Sequence, residues 1–76
     1  MEYVIVIHPA EEGGYWAEVP VLPGCYVQGE SLDELLAEAP EVIESHLEAL
    51  REDGQEIPGG EQFVLATVRV RSPSAA

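Results

Sequence analysis

The sequence predicts an α+β fold in two layers, with element order β-β-β-α-β and one helix covering one face of a mostly antiparallel sheet. Three observations carry this prediction. Ser31 to Gly54 is the only stretch with a sustained helical period. Four shorter runs, Tyr3–Ile7, Tyr15–Val19, Cys25–Gln28 and Phe63–Arg71, are rich in β-branched and aromatic residues and are divided by glycine, proline and acidic residues. The helix also falls between the third and fourth runs. A right-handed crossover there lays the fourth strand parallel to the first and beside it, giving the spatial order 3-2-1-4.

The helix comes first because the rest packs on it. Leu32, Leu35, Leu36, Ala39, Ile43, His46, Leu47 and Leu50 recur at three- and four-residue spacings on one face. Ser31 with Glu34 three residues on reads as a capping box. Gly54 suits a left-handed C-terminal cap. Pro40 removes one interior hydrogen bond and predicts a kink, but the apolar stripe keeps its phase across it, so one bent helix is expected.

Taken in order, Tyr3–Ile7 is apolar on both faces, the mark of a central strand, and His8-Pro9 ends it. Ala10 to Gly14 is a loose hairpin connection. In the second strand, alternation puts Tyr15, Ala17 and Val19 on one face and Trp16 and Glu18 on the other. Pro20 and Pro23 make the next stretch irregular, and Pro23-Gly24 is a turn dipeptide. A short third strand closes at Gly29. After the helix, Pro58-Gly59-Gly60 marks a loop. The fourth strand points Val64, Ala66, Val68 and Val70 one way and Phe63, Leu65, Thr67, Arg69 and Arg71 the other. Residues 72–76 read as a frayed tail. The whole of 1–76 reads as one domain.

At 76 residues with 46 % hydrophobic content, the chain is a small domain that buries only roughly 60 % of its unfolded surface. No run is long enough to span a bilayer. One cysteine and no leader pattern point to the cytoplasm. Fifteen acids against three arginines and no lysine give a formal net charge of −12. That balance argues against direct nucleic-acid binding and favours a basic protein partner or simple solubility.

Candidate chemistry is sparse. Glu34, Glu38, Glu41, Glu44, Glu48 and Glu52 are the solvent side of an amphipathic helix. Cys25 lacks a histidine or cation aimed at it, so it reads as a small buried side chain and not a nucleophile. His8, His46 and Cys25 have no metal-ligand spacing, and the glycine pairs do not form a phosphate loop. No catalytic residue, cofactor or metal is expected. Trp16, Tyr26, Phe63 and Leu65 instead leave apolar groups on the sheet face away from the helix, which predicts a partner or a second copy there. Glu41, Glu44 and Glu48 supply the acidic surface that would steer a basic partner.

The stretch from Gly14 to Cys25, GYWAEVPVLPGC, followed by Gly29-Glu30-Ser31-Leu32-Asp33-Glu34, resembles the HicB family of antitoxins. Shared features are the aromatic-rich second strand, the Val-Pro-x-Leu-Pro-Gly-Cys turn, the Gly-x-Ser helix entry and an acidic helix ending in Asp53-Gly54. The resemblance runs from about Tyr3 to Val70. It implies a partial ribonuclease-H-like fold without catalytic carboxylates, and a partner: HicA, a small basic toxin that cleaves mRNA. Many members carry a C-terminal DNA-binding module, and no such pattern is present in these 76 residues. The expected function is masking of a basic HicA-like toxin by a non-enzymatic domain that also self-associates as a dimer or higher oligomer. The rival is a solitary oligomeric adaptor of the same family with another ligand and no toxin. A third class, a hydrolase using clustered carboxylates, requires several acids to converge on one pocket.

Overall fold

The computed structural model describes residues 1–59 and 64–73. Three antiparallel strands form one sheet, β1 (Val6–Pro9), β2 (Tyr15–Glu18) and β3 (Tyr26–Gly29), in the order β1-β2-β3, and one helix, α1 (Leu32–Glu52), packs on it. The registers are Ile7 opposite Ala17 and Ala17 opposite Val27, so one face stacks these three side chains toward the helix. The helix lies over β3 and, less closely, β2, and makes no comparable approach to β1.

The antiparallel meander is therefore as expected, with shifted ends. The first strand includes His8 and Pro9 instead of stopping before them, and Tyr3–Ile5 lies outside it. Proline is tolerated there because it closes an edge strand and interrupts no interior ladder. The fourth strand differs more. Among the described residues, 64–72 form neither strand nor helix, and Val64, Leu65, Val68 and Val70 are exposed. The place beside β1 is thus not filled by this segment, and β1 is an edge strand of a three-stranded sheet. Alternation records a segment's fitness to be a strand, whereas a ladder also needs a partner backbone, which the pattern does not specify.

Helix α1 starts as the cap predicts: Glu34 N–H donates to Ser31 Oγ at 3.2 Å. The return bond is displaced by one residue, with Glu34 Oε2 accepting from the Glu30 N–H at 2.8 Å instead of from Ser31. At the other end Gly54 takes φ +74°, Gly54 N–H donates to Arg51 O and Gln55 N–H to Leu50 O. These two bonds form a Schellman cap. The helix runs through Pro40 as one element. Its buried stripe is rotated from the expected one: Leu35 and Ala39 are buried and Val42 packs beside them, while Leu32 and Leu36 are about half exposed.

Two clusters make the core. Ala17, Val27, Leu35 and Ala39 join helix to sheet. Val19, Leu22 and Cys25 form the second, with Ile43, Leu47 and Leu50 of the helix packed against them. The irregular stretch between β2 and β3 builds this second cluster. Leu22 N–H donates to Val19 O and Cys25 N–H to Leu22 O, two successive turns each with proline in second place. Gly24, at φ +85°, makes the latter a type II turn. The Pro-Gly turn thus drives Leu22 and Cys25 inward.

Candidate partner-binding face

Alternation sends half of each strand's side chains away from the helix. On that open face the register aligns His8, Trp16 and Gln28 in one row and Val6, Glu18 and Tyr26 in the next. The aromatic groups meet. The His8 and Trp16 rings stack with centroids 4.3 Å apart and planes inclined by 22°. Trp16 and Tyr26 lie diagonally across β2 and β3 at 6.1 Å and 56°. His8 Nε2 donates to Glu18 Oε2 at 2.8 Å, tying β1 to β2 across the same face. Both partners of that pair are near 40 % exposed (38 % and 42 %), so the bond orients the imidazole more than it stabilises the fold. Tyr26 is 59 % exposed.

Beside this strip lies an open groove of about 780 Å³, between the β1–β2 hairpin and the first turns of α1. Glu11, Glu12, Glu30, Glu34 and Glu38 line it, and Trp16 forms part of its wall. The convergence comes from a close approach. Gly29 ends β3 directly against the helix, where an added Cβ would lie 2.6 Å from Leu35 N and 2.8 Å from its Cα. Gly14 supports the hairpin side: its φ is +78°, and a Cβ there would lie 2.8 Å from Gly29 O. The two glycines let hairpin, strand end and helix start crowd together, which carries their glutamates to one rim. Among the described residues, no group of three or more His, Cys, Asp or Glu is placed to hold a metal ion.

Six of the seven expected interface residues lie among the described residues. Trp16 and Tyr26 come together on the open face. Glu41, Glu44 and Glu48 are exposed on the helix, with Glu48 paired to Arg51. Leu65 is 67 % exposed on the segment after the helix. Phe63 lies outside the described residues. Reading the residues missed His8, taken as the end of a strand, and the glutamates of the hairpin. The parity of His8 with Val6 was available once β1 extended to Pro9. The groove was not, because it depends on the approach at Gly29. Cys25 is buried as expected, and burial pushes its thiol pKa up.

The family model described as the HicB-like antitoxin of the bacterial toxin-antitoxin system matches residues 3–71. The chain belongs to the HicB-like antitoxin family. A UPF0150 protein of Synechocystis sp. is 46 % identical over the full length of both chains. A UPF0150 protein of Archaeoglobus fulgidus is 48 % identical over 72 % of this chain and 83 % of its own. The protein named Antitoxin HicB 1 of Photorhabdus laumondii is 34 % identical over 76 % of this chain, which corresponds to 37 % of that longer relative. The Gly-x-Ser entry of this HicB-like chain has a physical reason: Gly29 admits the Leu35 backbone, and Ser31 caps the helix it begins. Among the described residues, no helix is long and apolar enough to cross a membrane.

Proposed function

We propose that this HicB-like domain binds and masks a small basic mRNA-cleaving toxin of the HicA kind, using the open face of its sheet. One observation carries the reading: the His8–Trp16–Tyr26 strip lies on the face that the helix does not cover, with Tyr26 exposed, and it borders a groove rimmed by five glutamates. Aromatic side chains are favoured anchors of protein contacts because they bury much area at little entropic cost. The carboxylate rim suits lysine and arginine side chains, and the −12 charge attracts a basic protein from a distance. Glu41, Glu44 and Glu48 extend the acidic surface along the helix and contribute to encounter more than to the final contact.

On this reading the β-β-β-α arrangement serves as a binding scaffold. It is the part of a ribonuclease-H-like fold that the family resemblance implies; on this reading the glutamates that converge on the groove serve as a docking rim for cationic side chains and not as a hydrolase's acids, and the domain performs no chemistry of its own. A second reading is an oligomeric adaptor of the same family with another ligand and no toxin. Surface-immobilised kinetics against the basic product of an adjacent gene separates them. Fast, salt-sensitive association that is weakened by Trp16→Ala is expected. Failure of any basic neighbour to bind at low or high salt overturns the toxin-masking reading in favour of the adaptor.

A further inference from the structure

Two parts of the chain are built for a sheet, and among the described residues one is only partly in a sheet and the other is in none. The run Tyr3–Ile7 has the composition of a strand covered on both sides, yet β1 has a neighbour on one side only, and Tyr3, Val4 and Ile5 precede the paired residues. Residues 64–71 alternate as a strand should, yet Val64, Val68 and Val70 are 87 %, 83 % and 76 % exposed. A strand edge whose backbone is unpaired and an exposed apolar strand are each a liability in water. Their chemistry is complementary. Residues 1–59 hold fourteen carboxylates against Arg51 alone, whereas 64–73 hold Arg69 and Arg71 and no acid.

The tether sets the geometry. Tyr3 Oη donates to Pro58 O at 2.6 Å, so the chain leaves the folded body beside the N-terminal end of the β1 run. From there a strand can travel only along that edge or away from it. A single copy has both surfaces within reach of each other and still leaves the arm exposed, and the chain measures 56 × 28 × 18 Å. In the single chain the arm starts beside this edge and leaves it unpaired, and a second copy offers the same edge. Exchange of an identical element is a low-cost route to a dimer, because the contacts made between chains are those the closed chain would make within itself.

We propose that residues 64–71 pair with the β1 edge of a second copy, parallel to it, so that two chains exchange arms and each supplies the other's fourth strand. Val64, Ala66, Val68 and Val70 then face inward beside Ile5 and Ile7. Leu65, Arg69 and Arg71 join the open face that carries Glu18. The proposal stands independently of toxin binding.

The test uses the full-length chain in three measurements. Light scattering at micromolar concentration is expected to give twice the 8.2 kDa chain mass, with the dimer weakening as salt rises. A mixture of carbon-13-labelled and unlabelled chains is expected to show interchain nuclear Overhauser contacts from the Val68 and Val70 methyls to those of Ile5 and Ile7. The double variant Val68→Glu/Val70→Glu places two charges on the inward side of the exchanged arm and leaves the helix untouched, so it is expected to keep the helical circular dichroism of the parent while its mass falls by half. A parent that is monomeric, a double variant that remains dimeric, or methyl contacts found only within one chain would each overturn the exchange. The last result identifies closure of the arm on its own sheet.

Discussion

At the scale of single residues, the open face and the core make opposite predictions. Tyr26 is exposed and Trp16, stacked on His8, is half-buried; neither belongs to the buried core, so replacing either by alanine removes less from the fold than from a contact that buries them. Trp16→Ala is expected to speed dissociation of a bound basic toxin, at a cost of about 2 kcal/mol or more if it anchors the interface. Association should change little, and binding kinetics separates the two rates. Cys25 behaves in the reverse way. It is 3 % exposed, and burial favours its protonated thiol. Its folded pKa therefore lies above the unfolded one. Between these two values the unfolded chain has released the proton and the folded chain has kept it, so stability is full below the ordinary thiol value and falls as pH rises past it. Cys25→Ala should flatten that alkaline slope in denaturant titrations, and native Cys25 should resist alkylation until the protein unfolds. A slope unchanged by the substitution assigns it to other groups.

At the scale of elements, the junction of β3 with α1 is the sharpest feature. Gly29 has no room for a Cβ because backbone atoms of Leu35, not a movable side-chain tip, occupy the space. Gly29→Ala is expected to destabilise by roughly 1–3 kcal/mol through forced separation of strand and helix. Gly13 has open space around its Cβ position, and its φ of +103° leaves alanine with backbone strain alone. A Gly29→Ala variant with the parent's unfolding midpoint contradicts this packing. Ser31→Ala should cost about 1 kcal/mol through loss of the cap bond to Glu34. Much of this was legible in advance. Ser31, Gly54 and Pro23-Gly24 act through local backbone chemistry, and each does what its residue type implies. The alternation of β2 correctly sent Ala17 inward and Trp16 outward. Leu32 and Leu36 were placed wrongly because a three- to four-residue period defines a stripe but not which flank meets the sheet. The groove glutamates were illegible for a related reason: Glu11, Glu30 and Glu38 belong to three elements, and only the tertiary approach at Gly29 gathers them.

At the scale of the whole molecule, charge and shape decide how it meets others. Fifteen acids on so small a body make encounter with a basic protein fast at low salt. Replacing Glu41, Glu44 and Glu48 by glutamine should slow association and flatten its salt dependence, leaving dissociation nearly unchanged. Replacing Glu11, Glu12 and Glu30 should also raise the dissociation rate, because those side chains rim the groove beside Trp16. Equal effects of the two triple variants on dissociation would mean that the groove makes no contact of its own. The fourth strand shows the limit of sequence reading at this scale. Val64 to Val70 has a strand's alternation, but where such a segment docks is a relation between surfaces, and no residue within it records whether the partner edge belongs to the same chain.

The stacked pair on the open face has a practical corollary. Trp16 is the only indole in the molecule, and it sits against His8 at 4.3 Å on the surface proposed for docking. Its emission therefore comes from one known place. A protein that covers the strip must displace water from that ring and shift its emission to shorter wavelength, whereas one that docks on the outer helix leaves the spectrum as it was. The unlabelled domain is its own optical gauge of which face has been occupied.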